Sequence, residues 1–282
     1  MSFAKTILQL RTAFPYLLAG AGGVGVGITL HSRLVNTHLS AMGSSDGQGP
    51  AHLHNEQAQP LSLKHKVLDS AAAMTQNFQP VNQIHQHVCG FHFYSGDLSR
   101  QVEAHHYCSH LNDEMRQCVI YDSDGSGARL IGVEYIISER LFQTLSEDEK
   151  KYWHSHAYEV TSGTLTTPMT DLLPSAAATA AEKMEMSQLV NTYGKTFHLW
   201  QVDRGDQLPL GPPQLMMSFT KDGQLRRDLL QDRDTRYGID SGTKRAERAD
   251  LVPNAKVAGA DGWETSGVAV QLEPRLVKMR MG

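Results

Sequence analysis

The first periodic stretch of the chain follows residue 62. Apolar side chains recur there at helical spacing, with Ser62 at the position of an N-cap and Pro80 beyond the last periodic residue. The apolar positions are Leu63, Val67, Leu68, Ala71, Ala72 and Met74. The pattern predicts a helix that lays one face on a sheet.

The period then changes from helical spacing to alternation. Runs rich in β-branched and aromatic residues, bounded by turn residues, lie at 88–94, 102–108, 118–121 and 130–137. Turn residues at 112–113 and 122–127 separate consecutive runs. Strands joined by short turns pair antiparallel, so this part of the chain predicts an antiparallel sheet.

The remaining elements are predicted from caps and periodicity. Ser138 caps a short helix through Phe142, and residues 146–149 form a capping box. Gly194 has the character of a C′ residue at the end of an Ala/Met-rich helix. The predicted elements are a strand at 154–165, this helix at 175–193, strands at 196–202 and 215–219, a charged helix at 225–237 and an edge strand at 268–272.

Together these elements predict an α+β fold: a mainly antiparallel sheet with flanking helices, in a single globular domain over residues 62–250. A polar linker at 46–61 precedes the domain, and a C-terminal extension at 251–282 follows it. A chain of 282 residues is long enough to bury such a core.

Residues 1–45 differ in kind from the rest. They contain no acidic residue after the initiator methionine, and residues 12–30 are mostly apolar. A mitochondrial presequence, a membrane-spanning helix and a secretory signal share these features, and membrane insertion and mitochondrial targeting are the favoured alternatives. Gly20, Gly22 and Gly25 match the spacing of a dinucleotide-binding fingerprint, but the surrounding sequence does not predict the βαβ unit that this site requires. We therefore predict a leader or membrane anchor.

Charge and cysteine content argue against two classes of protein. The formal charge is −4 without a stripe of Lys and Arg, so no nucleic-acid partner is expected. Cys89, Cys108 and Cys118 form no C-x-x-C pair and leave an odd thiol. This favours free, buried thiols in a reducing compartment over a disulfide framework.

A dense group of histidines lies between residues 83 and 160. In an extended strand Glu103 and His105 share one face while His106 lies on the other, because side chains alternate. His154 and His156 share a face as well, and imidazole and carboxylate are ligands of zinc, iron and manganese. The candidate metal ligands are His105 or His106, with His154, His156 and one carboxylate from Glu103, Glu134 or Glu159.

A structural role is the alternative explanation of these residues. Buried histidines in β-rich segments are often hydrogen-bonded, and a buried glutamate is often paired with an arginine. The sequence has no H-E-x-x-H motif, no zinc-finger spacing and no G-x-S-x-G motif. The metal site is therefore a hypothesis that rests on composition and alternation.

Three long segments of the domain carry a family resemblance: CGFHFYSGDLSRQVEAHHYCSHLNDEMRQCVIYDSD, ARLIGVEYIISERLFQTLSEDEKKYWHSHAYEV and YGKTFHLWQVDRGDQLPLGPPQLMMSFT. They closely resemble the oil body-associated protein family, which is found on plant seed lipid droplets. The resemblance covers roughly residues 81–249. It implies a role in droplet formation or stability, without an assigned reaction.

The leading functional prediction is thus a protein associated with a lipid droplet or membrane surface. The leader and a proline-rich loop at 208–217, which carries Leu210, Leu215 and Met216, are the candidate lipid contacts. The alternative is a metal-dependent enzyme or a small-molecule-binding protein. Convergence of the histidines and a glutamate on one ion would favour that alternative.

Overall fold

Strands form the centre of the protein. The computed structural model describes residues 60–168 and 175–281. The strands in these residues are β1 (Gln86–Tyr94), β2 (Asp97–Asn112), β3 (Met115–Tyr121), β4 (Leu130–Ser138), β5 (His154–Ser155), β6 (Thr192–His198) and β7 (Gln214–Met217). They make one antiparallel sheet in the order β4–β3–β2–β1–β7–β6–β5. The leader and most of the linker lie outside the described residues.

The sheet closes into a six-stranded barrel. Strand β4 pairs with β3 on one side and with β6 on the other, and β7 joins β6 to β1. The predicted α+β class with an antiparallel sheet is confirmed, but a closed barrel is more specific than a sheet with flanking helices. Closure makes the two faces of each strand unequal, because one face points into the barrel.

The inside of the barrel is layered. One apolar layer contains Val88, Cys108, Cys118 and Ile136, with Met186 and Leu189 packed against them. A second apolar layer contains Tyr94, Val102, Ala104, Ile120, Ile131 and Met216. Alternation along the strands places a buried polar layer between the two, which contains His92, His106, Glu134, Thr196 and His198.

The helices of the described residues are α1 (Leu63–Thr75), α2 (Gln79–Asn82), α3 (Glu139–Gln143), α4 (Glu147–Lys150), α5 (Ala157–Ser162), α6 (Ser175–Leu189), α7 (Arg227–Tyr237), α8 (Ser241–Glu247) and α9 (Gly262–Ser266). The predicted N-caps at Ser62, Ser138 and Ser146 are confirmed, since each hydroxyl oxygen accepts a backbone N–H three residues on. No helix in this part of the chain is long and apolar enough to cross a membrane.

Helix α1 forms as predicted but does not pack as predicted. None of its residues is buried, and Leu63 and Met74 are 77% and 85% exposed. The sheet on which it was expected to lie closes on itself, and the strands fill the interior with their own side chains. The apolar stripe of α1 is therefore exposed to solvent.

The strand predicted at 154–165 is wrong beyond its first two residues. The chain turns into α5 directly after Ser155, whose hydroxyl accepts the backbone N–H of Ala157. Gly163 ends the helix with a φ of 80°, a conformation that suits glycine. Local capping therefore overrides the alternation on which the strand prediction rested.

The long helix predicted at 175–193 is also too long. Helix α6 ends at Leu189, and the next residues pair with β4 on one side and β5 on the other. Gly194 thus lies within β6 and is not the C′ residue of a helix. Hydrogen bonding to two neighbouring strands outweighs the helical propensity of this segment.

The cysteines differ from the prediction as well. Cys108 and Cys118 lie directly opposite each other in β2 and β3 and form a disulfide, with 4.1 Å between their Cα atoms. The prediction of free thiols is wrong for this pair because it took no account of strand register. Cys89 is free and buried.

The C-terminal extension adds no strand. After Met217 the described residues contain helices and irregular chain only, so the predicted edge strand at 268–272 does not form. The segment instead leads to a tail whose apolar side chains are exposed, with Leu276 100% accessible. The six strands of the barrel pair on both sides, and of the described strands only the two-residue strand β5 remains at an edge of the sheet.

Candidate metal centre

Glu134 stands at the centre of the polar layer inside the barrel. It lies in the middle of β4, opposite Cys118 of β3 and Thr196 of β6. The side chain is only 2% exposed. A carboxylate buried this deeply requires hydrogen-bond donors or cations around it.

Three imidazoles from different elements point their Nε2 atoms at this carboxylate. His106 of β2 lies 2.9 Å from Oε2, whereas His154 of β5 and His156 at the start of α5 lie 3.4 and 3.2 Å from Oε1. Because the chain turns after Ser155, His156 reaches Glu134 from a helix terminus rather than from a strand. The carboxylate therefore has imidazoles on both of its oxygens.

A fourth imidazole, that of His92 in β1, completes the group. The donor atoms of His92, His106 and Glu134 lie within 4.8 Å of one another, and so do those of Glu134, His154 and His156. His92 Nδ1 is 3.2 Å from Nε2 of His198, which fixes the orientation of the His92 ring. We call the five side chains His92, His106, Glu134, His154 and His156 the inner cluster.

Because Gly194 has no side chain, it leaves room for Glu134, His154 and His156 to approach one another. A Cβ atom added at this position would lie 2.0 Å from Oε1 of Glu134 and 2.7 and 2.9 Å from Nε2 of His154 and His156. Contacts below 3.0 Å are not tolerated by real Cβ atoms. Glycine in β6 is therefore a condition for the inner cluster.

Hydrogen bonding in the inner cluster is incomplete. Both ring nitrogens of His106 and both of His154 are buried without a hydrogen-bond partner. Their Nε2 atoms are close to Glu134, but the geometry of these contacts is not that of a hydrogen bond. Buried polar atoms without partners are uncommon and call for an explanation.

A hydrogen bond at Nδ1, the ring nitrogen that does not face Glu134, fixes the orientation of His156. Nδ1 lies 2.9 Å from the hydroxyl oxygen of Thr192, and that hydroxyl donates to the carbonyl oxygen of Leu189 at 2.7 Å. The Thr192 oxygen therefore accepts the Nδ1–H of His156. A neutral His156 then has its lone pair on Nε2, facing Glu134.

The electrostatics in and around the inner cluster favour an ionised Glu134 and neutral rings at His92 and His198. Burial raises the pKa of Glu134, but the surrounding imidazoles outweigh it and hold that pKa well below its usual range. Burial and neighbouring imidazoles lower the pKa of His92 and that of His198, the latter to about 3. Burial also opposes charge on His154, but Glu134 outweighs burial and raises its pKa. Neutral imidazole is the form that binds metals.

A small cavity adjoins the inner cluster. It is lined by His92, His106, Glu134, His156 and Glu159, with the apolar side chains Val88, Ile136, Leu165 and Leu189 closing it. Its volume of about 10 Å³ is at the lower limit for one water molecule. Burial raises the pKa of Glu159, so this second carboxyl favours its protonated form.

The structure separates the candidate ligands of the sequence into two groups. His106, His154, His156 and Glu134 come together inside the barrel, whereas Glu103 and His105 lie on the outer face of β2. Sequence reasoning left His92 out of the ligand set. Its position on the same strand face as Val88 and Tyr94, both inside the barrel, was the available signal.

The residues on the outer face form a cluster of their own. His105 Nε2 lies 2.8 Å from Oε1 of Glu103, Nδ1 lies 3.0 Å from Nε2 of His87, and Arg236 pairs with the other oxygen of Glu103. The Sγ atom of Cys89 is 3.6 Å from Glu103 and 3.9 Å from His105. We call Cys89, Glu103, His105 and Arg236 the outer cluster. Each of its charged or ring groups has a protein partner.

The described chain is thus an antiparallel β-barrel protein with a buried group of histidines around a carboxylate. A family model that matches more than half of the chain, together with curated relatives that are 40–51% identical to it, shows that it belongs to the oil body-associated protein family. The family model described as "Protein of unknown function (DUF1264)" matches residues 78–252, which include the whole of both clusters. The resemblance seen in the sequence is therefore confirmed.

Curated relatives cover most of the chain. Oil body-associated protein 1B of Arabidopsis thaliana is 51% identical over 183 residues, which are 65% of this chain and 73% of that protein. Oil body-associated protein 1A of Zea mays is 50% identical over 183 residues, 65% of this chain and 74% of that protein. Oil body-associated protein 2B of Zea mays is 44% identical over 237 residues, 82% of this chain and 92% of that protein. No solved structure matches the chain.

Proposed function

We propose that this chain is a metal-binding protein whose inner cluster holds a divalent transition metal. The observation that carries the proposal is the state of His106 and His154. Their four ring nitrogens are buried without hydrogen-bond partners, although both rings lie within 3.4 Å of a carboxylate oxygen. Leaving such groups without a partner is costly, and a bound cation would satisfy the lone-pair nitrogen of each ring.

The orientation of His156 supports the same proposal. With its Nδ1–H donated to Thr192, a neutral His156 directs a lone pair at Oε1 of Glu134. Two electron-rich atoms 3.2 Å apart repel each other unless a metal ion or a proton lies between them. A ligating histidine commonly donates its second ring N–H to a neighbouring group, as His156 does to Thr192.

The donor set indicates the kind of metal. Imidazole nitrogen with one carboxylate suits zinc, iron or manganese. When bound, such an ion would supply Lewis acidity and lower the pKa of a coordinated water. The protein would contribute four positioned imidazoles, a carboxylate and an apolar wall, and Glu159 could release a proton into the same cavity.

Elemental analysis of the purified full chain tests this function. Wild type should contain near-stoichiometric transition metal, and Glu134→Gln, which keeps the size of the side chain, should lose it. The matched control is His85→Ala/His110→Ala, because His85 Nε2 and His110 Nδ1 form an exposed imidazole pair 3.1 Å apart that could bind metal adventitiously. Metal that is absent from wild type, or that survives in Glu134→Gln and disappears in the control, contradicts the proposal. Circular dichroism establishes that each variant is folded.

A second proposal concerns location and comes from the relatives. We propose that the chain acts on lipid droplets, in their formation or stability; the names of its relatives, which describe them as oil body-associated, support the location. The C-terminal tail supports a surface contact. Arg275, Lys278 and Arg280 alternate there with Leu276, Val277, Met279 and Met281, whose side chains are 76–100% exposed. Basic residues interleaved with apolar ones bind anionic lipid surfaces.

The loop at 208–217 is a weaker candidate than the sequence suggests. Leu215 and Met216 are buried in β7, so Leu208 and Leu210 are the large apolar side chains of this loop that are exposed. The strand alternation of this segment turns its larger apolar side chains into the barrel wall and interior. The tail is therefore the better site for the experiment.

Flotation with artificial droplets tests the contact. Triacylglycerol droplets coated with phosphatidylcholine, with or without phosphatidylserine, should carry wild type upward, and more so with the anionic lipid. Arg275→Ser/Lys278→Ser/Arg280→Ser should float less and should slow droplet coalescence less. Lys151→Ser/Arg204→Ser/Arg226→Ser removes the same charge from other exposed sites and should behave like wild type. Equal flotation of the two triple variants would count against the tail, and no flotation of wild type would count against droplet binding.

A further inference from the structure

The donors of the inner cluster fall into two groups that share one residue. His92 and His106 form one group with Glu134, and His154 and His156 form the other with Glu134. Within each group all donor atoms lie within 4.8 Å of one another. His106 approaches Oε2 of the carboxylate, whereas His154 and His156 approach Oε1.

We infer that Glu134 bridges two divalent metal ions, one held by His92 and His106 and the other by His154 and His156. This inference rests on the proposed metal-binding function. Donors bind an ion at about 2.0–2.2 Å, and the 4.8 Å that bounds the donor atoms of each group is close to twice this distance. A bridging carboxylate binds one ion through each oxygen, and sites with two ions hold them about 3.5–4 Å apart.

The two groups are built alike. Each contains one ring that a second partner orients, His92 through His198 at 3.2 Å and His156 through Thr192 at 2.9 Å. Each also contains one ring whose two nitrogens are buried without a partner, His106 in the first group and His154 in the second. A single ion on one side of Glu134 would leave one of these two rings without a partner.

The groups come from different parts of the fold. His92 and His106 lie on the paired strands β1 and β2, whereas His154 and His156 lie on either side of the turn from β5 into α5. Changes to one group can therefore leave the other in place. Glu159 lines the same cavity and is the second carboxyl available to balance the charge of two cations.

Metal stoichiometry tests the inference. Full-length wild type loaded with Mn²⁺ should bind about two ions, one for each donor group. His92→Ala/His106→Ala and His154→Ala/His156→Ala should each keep about one ion, and Glu134→Gln should keep neither. Electron paramagnetic resonance should show a spin-coupled Mn²⁺ pair in wild type and an uncoupled ion in each pair variant. If a pair variant fails to fold, the single variants His106→Gln and His154→Gln replace it, with about one ion expected in each.

The alternative outcomes are distinct. One ion in wild type, lost in both pair variants, means a single shared site and overturns the inference while leaving the metal-binding function intact. One ion that survives in one pair variant assigns a single site to the other pair of histidines and also overturns it. No metal in wild type contradicts both the inference and the proposed function.

Discussion

Residues of the inner and outer clusters lie on opposite faces of β1 and β2. His105 and His106 are neighbours in β2, yet the first belongs to the outer cluster and the second to the inner one, because side chains alternate. The histidines and glutamates of both clusters are buried, whereas Arg236 of the outer cluster is partly exposed. They differ in hydrogen bonding: the outer cluster is fully paired within the protein, and the inner cluster is not.

This difference separates two roles that residue type cannot separate. In the outer cluster Arg236 and His105 neutralise Glu103, and through Arg236 the network fastens α7 to the barrel. In a catalytic triad the nucleophile contacts one ring nitrogen of the histidine and the orienting acid contacts the other. Here Cys89 and Glu103 both approach Nε2 of His105, so the outer cluster does not have this arrangement. Cys89, Glu103 and His105 also lie close enough together to hold an ion, but their polar groups already have protein partners, whereas His106 and His154 of the inner cluster have none.

The largest effect is expected from closing the space inside the barrel. Gly194→Ala should reduce bound metal to near zero, because its Cβ would lie 2.0 Å from Oε1 of Glu134. Elemental analysis measures the loss. The control is Gly127→Ala, since a Cβ at Gly127 meets no atom within 4 Å. Full metal occupancy in Gly194→Ala would show that the ion does not use Glu134 together with His154 and His156.

A substitution in the outer cluster should lower the stability of the fold and leave the metal content unchanged. Glu103→Met leaves Arg236 and His105 without their carboxylate, and should lower the free energy of unfolding by about 3 kcal/mol. Urea unfolding measures this loss. The double variant Glu103→Met/Arg236→Met should lose less than the single one, because it removes both charges of the pair. A metal content that falls with Glu103→Met would break the distinction between the clusters.

Metal should stabilise the fold through the inner cluster alone. With free metal 100-fold above Kd, wild type should gain about 2.7 kcal/mol in its free energy of unfolding for each ion that it binds. Urea unfolding with metal and with chelator gives the difference. Glu134→Gln should gain nothing, whereas Glu103→Met should gain as much as wild type. Equal gains in all three proteins would place the stabilising ion elsewhere.

A smaller effect should appear as a pH dependence from the outer cluster. Burial alone would lower the pKa of His105, but Cys89 and then Glu103 outweigh it and raise the pKa to about 10. The unfolded chain releases this proton near pH 6.5. The folded state then binds more protons than the unfolded state, so the contribution of His105 is complete below pH 6.5 and is lost as the pH rises to about 10.

Unfolding of metal-free protein at pH 6 to 10 checks this dependence. Stability should fall over this interval more steeply in wild type than in Glu103→Gln, which lacks the carboxylate that contacts Nε2 of His105. Parallel curves for the two proteins would show that Glu103 does not stabilise a charged His105.

Local patterns in the sequence predicted much of the strand layout. Alternation placed Glu103 and His105 opposite His106, and the structure confirms that division. Alternation could not show which face of β2 points into the barrel. Helix α7 covers the outer face at Glu103 and His105, so residues on both faces are buried. The choice between His105 and His106 therefore needed the pairing of β4 with β6, a contact between residues far apart in sequence.

The other differences between the predicted and the observed structure also come from contacts between residues far apart in sequence. Gly194 has the sequence context of a helix end, and only the neighbouring strands reveal it as the space beside Glu134. His154 and His156 were expected to converge along one strand, yet they reach Glu134 from both sides of a turn. The disulfide between Cys108 and Cys118 likewise depends on the register of β2 against β3. Each of these features is set by tertiary pairing, which overrides local preference.

The burial of the inner cluster also bears on how fast a bound ion would exchange with solvent. His106, His154 and His156 are at most 5% exposed and lie between two apolar layers. An ion held there could exchange only when packed side chains part, so its residence time would follow the opening rate of the barrel more than the strength of its ligands. The ion would then enter most readily while the chain folds, and the metal supply at synthesis would decide which ion the protein carries for its lifetime.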